Sequence, residues 1–175
     1  CNVPFAYPFV GRLIQAGVLD SKPIFCGGVR CLNCDNHKEC FEYSTQGFKS
    51  FASLTYEADY SSSTVVQKYQ QAVLWISGGF DMRNKSQLVY SNGTISEGPN
   101  MPETESLHSH CVVAINKTTV FVIGGYNDNG RTNKTNVYSF ELHQWYNGSE
   151  LLNERRNHAC GVFENGSNLM IAVIG

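Results

Sequence analysis

Along this chain the apolar residues gather in short runs of strand length, and the runs end on glycine. In "TTVFVIGGYNDNG" (residues 118–130) four consecutive apolar residues lead into Gly124 and Gly125, and a polar loop follows. "AVLWISGGFD" repeats the pattern at Gly78 and Gly79, "KPIFCGGVR" at Gly27 and Gly28, and "LMIAVIG" reaches Gly175. A helix would place apolar residues at i, i+3 and i+4 over about ten or more positions, and no segment sustains that. The nearest candidate, "AYPFVGRLIQAGVL", is interrupted by Pro8 and Gly11 and reads as strand. The pattern predicts an all-β chain.

The glycine pairs return at a regular interval. Gly28 to Gly79 is 51 residues, Gly79 to Gly125 is 46, and Gly124 to Gly175 is 51. Periods of roughly 40 to 50 residues belong to propeller blades. Within each period the runs and turns read as a four-stranded meander. The first unit has "GRLIQAGVL", "PIFCGG", "ECFEYS" and "GFKSFASL"; the second has "SSTVVQKYQ", "QAVLWISGG", "SQLVYSN" and "GTISEG". The third has "HSHCVVAI", "TVFVIGG", "TNVYSFEL" and "QWYNG". The units fall at about 10–58, 59–103 and 104–152, with a truncated unit at 153–175.

These residues carry a family resemblance. The double glycines Gly27-Gly28, Gly78-Gly79 and Gly124-Gly125, the third-strand aromatics Tyr43, Tyr90 and Tyr138, and Trp145 early in a fourth strand resemble kelch repeats. "ERRNHACGVF" (residues 154–163) is similar to the opening of a further repeat, and Ile95 stands where the second unit would have its Trp. The resemblance covers the chain from about Val10 onward and implies one partial kelch β-propeller domain over 1–175, built of antiparallel meanders. A ring needs about four to eight blades, so some three and a half would not close it. The expectation is a piece of a longer kelch protein, with a sheet edge and blade faces left open.

Composition narrows the class without naming a partner. With 42% hydrophobic and 12% aromatic residues the chain is globular. A net charge of −2 gives no reason to expect nucleic acid, and no apolar run approaches the ~18 residues of a membrane span. Seven cysteines are many for this length, and Cys26, Cys31, Cys34 and Cys40 cluster. Structural zinc would use four thiolates, but only one Cys-x2-Cys pair is present, so disulfides are the expectation, with three pairings open. Cys1, Cys111 and Cys160 form an odd set, one of which would pair outside this sequence. Six Asn-X-Ser/Thr sequons, at Asn84, Asn92, Asn116, Asn133, Asn147 and Asn165, join the cysteines in pointing to a secreted or extracellular glycoprotein.

Catalytic chemistry finds little to stand on. His108, His110 and His158 open first strands and could converge on a metal, but the resemblance gives His108 and His158 structural roles at the repeat start. No phosphate loop, His-Glu-x-x-His or Gly-x-Ser-x-Gly occurs. The expected function is therefore a scaffold for protein interaction with no cofactor and no catalysis. Its binding loops would lie on the rim carrying Asp81, Arg83, Asn127, Asp128, Arg131, Glu154, Arg155 and Arg156, where a glycan is also conceivable. The alternative is part of a glycan-binding or galactose-oxidase-like copper radical oxidase propeller, although no set of residues maps onto such a site.

Overall fold

The structure, a computed structural model, describes residues 13–28, 37–102 and 106–175. Strands β1 (Gln15–Leu19), β2 (Lys22–Cys26), β3 (Glu39–Ser44) and β4 (Gly47–Ser53) form one antiparallel meander. A second contains β5 (Ser62–Lys68), β6 (Gln71–Ser77), β7 (Ser86–Tyr90) and β8 (Ile95–Glu97). The third comprises β9 (Cys111–Ala114), β10 (Thr119–Ile123), β13 (Thr135–Ser139) and β14 (Gln144–Asn147). Its loop between the second and third strands folds into a small ribbon of β11 (Tyr126–Asn127) and β12 (Gly130–Arg131). A hairpin of β15 (Ala159–Asn165) and β16 (Asn168–Ile174) follows. The described residues contain no helix, and so none long and apolar enough to cross a membrane.

The four units are partial propeller blades arranged side by side. The first strands β1, β5, β9 and β15 each adjoin the next, so they form the inner wall of an arc. No closed barrel or ring forms among the described residues.

Period-two alternation explains how the blades stick together. Side chains of successive strand residues point to opposite faces. On β6, Leu74 and Ile76 pack toward the first blade with Leu19, Ile24 and Leu54, while Val73 and Trp75 pack toward the third with Val112, Val120, Val122 and Phe140. A strand covered on both faces reads as the continuous apolar run "AVLWI" rather than an alternating one. The repeat aromatics sit in the same layers. Tyr138 lies 4.9 Å from Trp145 and 6.4 Å from Trp75 between ring centroids, and the Trp145 Nε1 donates to the Asn100 carbonyl at 2.7 Å. The β15–β16 hairpin lacks such cover, and Phe163, Leu169, Met170 and Ile174 are exposed.

Two disulfides stand among the described residues. Cys26 and Cys40 face each other across β2 and β3, and Cys111 on β9 joins Cys160 on β15. Cys1, Cys31 and Cys34 lie outside the described residues.

Candidate functional site

The double glycines are the hinges from which the loop rim is built. Gly78 and Gly79 have φ of 63° and 109°, and Gly124 and Gly125 have 58° and 114°, all in the left-handed region where a Cβ is penalised. The first glycine donates to its own blade, Gly78 N to the Lys85 carbonyl and Gly124 N to that of Lys134. The second reaches the next blade, Gly79 N to the Leu107 carbonyl at 2.9 Å and Gly125 N to the Arg155 carbonyl at 2.8 Å. A Cβ on Gly78 would stand 2.6 Å from the His110 ring, and one on Gly124 would stand 2.9 Å from the His158 ring. Each of these histidines thus fills the space that the preceding blade's glycine leaves open.

Burial sets the charge of those rings. His110 is enclosed with its Nε2 3.1 Å from Ser77 Oγ, and desolvation pushes its pKa down to about 3. His158 is shifted down as well, first by burial, with the Ile123 backbone opposing. Both rings are neutral at pH 7. Among the described residues no group of three or more His, Cys, Asp or Glu side chains is placed to hold a metal ion.

Ahead of each first strand stands a residue with positive φ: Leu13 (60°), Tyr60 (50°), Ser109 (56°) and Asn157 (54°). Ser109 N donates to the Tyr60 carbonyl and Asn157 N to the Ser109 carbonyl, both at 2.9 Å, so a backbone chain runs from blade to blade. These residues, with Gln15, His110 and His158, line an open cavity of about 570 Å³ at the mouth of the inner wall. Of the four, only Asn157 is a residue type that tolerates this backbone readily, which kept the feature out of sight in the sequence.

Immediately after the Gly78-Gly79 and Gly124-Gly125 hinges comes an aromatic residue, and the next blade stacks on it, whereas Val29 follows Gly27-Gly28. The Phe80 and His108 ring centroids are 4.2 Å apart at an interplanar angle of 34°, and His108 and Tyr126 are 5.3 Å apart at the same angle. The Arg156 guanidinium lies 4.8 Å above the Tyr126 ring. His108 and Tyr126 also exchange two backbone hydrogen bonds, 3.0 and 2.8 Å, which lock the register of the ladder. Burial lowers the His108 pKa; Arg156 lowers it further and Asp128 opposes. Phe80 remains 51% exposed, so the ladder has a broad open end.

The candidate rim residues surround this ladder unequally. Asp81, Arg83, Asp128, Arg131, Glu154 and Arg156 are exposed, and Arg131 pairs directly with Tyr126 across β11 and β12. Asp81 accepts the Glu57 N–H at 3.1 Å, and Asp128 accepts from Ser106 Oγ at 3.4 Å. Asn127 is buried and its side chain turns the loop by accepting the Asn129 N–H at 2.9 Å. Arg155 is half-buried and donates to the Gly175 carbonyl at 3.1 Å. Phe80, His108 and Tyr126 were not among the residues the sequence put forward for binding. Their signal was the position after the double glycine and the position before the strand opening.

Residues 108–152, which hold the third blade from His108 through Trp145, match the Kelch motif family. The third blade carries a kelch repeat. It is 38% identical over 87 residues to a Kelch domain-containing protein of Saccharolobus solfataricus, a stretch that spans 50% of this chain and 11% of that relative. The matched stretch holds the hinge pair Gly124-Gly125, which builds the rim, and Tyr138, which packs in the blade core.

Proposed function

We propose that this kelch arc is an extracellular scaffold that binds a protein partner through the loop rim, and that it works by binding rather than catalysis. The ladder of Phe80, His108, Tyr126 and Arg156 carries the reading. Its rings are already held by stacking and backbone hydrogen bonds, so a partner covering Phe80 would bury apolar area without ordering a loop. Aromatic and arginine side chains dominate interface hot spots, and here both kinds occupy one rigid row. The two disulfides and the six sequons support the extracellular placement.

The test is proximity cross-linking of the secreted protein in its native extracellular fluid, comparing wild type with Phe80→Ala/Arg156→Ala. Leu152→Ala, at a 99% exposed position away from the ladder, is the control. Loss of a partner band in the double variant alone, with unchanged circular dichroism, is the expected result. Identical partners for all three proteins would overturn the proposal.

A further inference from the structure

The six sequons are not equivalent once the repeat is seen in three dimensions. Asn84-Lys85-Ser86 and Asn133-Lys134-Thr135 occupy the same repeat position, since Lys85 and Lys134 both accept from the first hinge glycine. Ser86 and Thr135 open the third strands and are buried, at 1% and 7% exposure. Ser86 Oγ donates to the Pro99 carbonyl at 2.8 Å, and Gly98 N and Gly148 N donate to the Ser86 and Thr135 carbonyls at 2.9 and 2.8 Å, so close that a Cβ on either glycine would meet the Ser86 or Thr135 side chain. The Asn133 amide is also engaged: Nδ2 donates to Glu150 Oε2 at 3.1 Å and to the Leu151 carbonyl at 3.4 Å. In both sequons the hydroxyl residue is held in the blade; the Asn84 side chain itself makes no hydrogen bond among the described residues, and its carbonyl accepts the Met101 N–H at 2.7 Å.

Asn92 and Asn116 have the opposite character. Each is exposed on a hairpin turn, Asn92 between β7 and β8 and Asn116 between β9 and β10. Each closes an Asx turn on its own sequon, with Asn92 Oδ1 accepting the Thr94 N–H at 3.0 Å and Asn116 Oδ1 accepting the Thr118 N–H at 2.8 Å. The amide oxygen is thereby engaged while Nδ2 has no hydrogen-bond partner among the described residues. Such a turn spans three residues and can form before the blade folds, whereas folding draws Ser86 and Thr135 out of reach.

We propose that Asn92 and Asn116 are N-glycan attachment sites and that Asn84 and Asn133, whose sequon hydroxyls on Ser86 and Thr135 are buried, are left unmodified. The inference rests on the extracellular reading above. In the transfer, Nδ2 attacks C1 of an oligosaccharide carried on a lipid pyrophosphate. The N–C1 bond forms, the C1–O bond breaks with its electron pair leaving on the pyrophosphate, and one amide proton passes to a base of the transferase. The product amide keeps a single N–H, which is too few for the two bonds that Asn133 makes. Hairpin turns of strands one to two and three to four lie on the rim opposite the ladder, so glycans there leave Phe80 and Arg156 open to a partner.

The experiment is site-resolved mass spectrometry of the full-length protein secreted by a eukaryotic host, after a glycosidase that converts each linked Asn to Asp. Occupancy at Asn92 and Asn116 is expected to exceed that at Asn84 and Asn133 severalfold. Thr118→Ala should remove one glycan mass while keeping the turn, and Ser86→Ala should lower the thermal midpoint with no change in glycan mass. Asn84 or Asn133 modified as fully as Asn116 would overturn the proposal. So would bare Asn92 and Asn116 in protein whose Cys111–Cys160 bond is formed, and that result would leave the extracellular reading standing. Bare sites with both cysteines reduced would overturn the two readings together.

Discussion

Cys111 and Cys160 join the inner strands of neighbouring blades, with their Cα atoms 6.0 Å apart at a sequence separation of 49. The bond ties β9 to β15 at the position where the fourth unit has only a two-stranded sheet to hold it. Closing a loop of that length stabilises a folded chain by roughly 4 kcal/mol in the chain-entropy view. Cys111→Ala/Cys160→Ala should therefore lower the thermal midpoint and raise hydrogen exchange in β15 and β16 ahead of β5 to β7. Exchange mass spectrometry reads this, and equal exchange in both regions would contradict it.

Acid should loosen the hinges. The His110 pKa falls to about 3 in the folded chain from an ordinary 6.5, so the unfolded chain takes up the proton first. Stability is unaffected above about pH 6.5 and is lost as pH falls from there toward 3, with His108 and His158 acting in the same direction. For His110 alone the loss by pH 5 is about 2 kcal/mol. Urea midpoints at pH 7 and pH 5 should differ for wild type and differ less for His110→Asn.

The hinge glycines should be far less replaceable than the open glycines Gly130 and Gly161. Gly78→Ala and Gly124→Ala combine a left-handed backbone with a clash against a buried histidine, and each should cost more than about 2 kcal/mol. Gly130 has φ of 115° but open space around its Cβ position, and Gly161 has open space without a positive φ. The order of destabilisation expected from thermal melts is Gly78 and Gly124, then Gly130, then Gly161.

Trp145 bridges the second and third blades through its indole N–H on Asn100. Trp145→Phe keeps a ring against Tyr138 and removes the donor, and should cost about 1 kcal/mol. Replacement by Ala should cost about 3 kcal/mol or more, because the stack on Tyr138 and Trp75 is lost as well. Denaturant unfolding of the two variants side by side measures the difference.

Much of the fold was legible because its determinants are local or periodic. A glycine pair after an apolar run marks a hinge wherever it occurs, and three such pairs with a fourth terminal glycine exposed the blade period. The candidate rim was legible only in outline. Asp81, Arg83, Asp128 and Arg131 follow hinge positions and could be assigned to loops. The stack of His108 on Phe80 joins residues that are 28 positions apart in the chain. Asn127 looked like a surface loop residue, and its burial comes from the β11–β12 ribbon, whose strands are too short to leave a periodic trace.

By itself, then, the sequence determined the strands, their meander order and the hinge glycines, because side-chain alternation and backbone freedom act within a few residues. The packing of one blade on the next decided the rest. It paired Cys111 with Cys160, placed His110 against Gly78, built the aromatic ladder and separated turn sequons from strand sequons. Those outcomes depend on which surfaces meet across a blade interface, and a distance between surfaces is not written in any single stretch of chain.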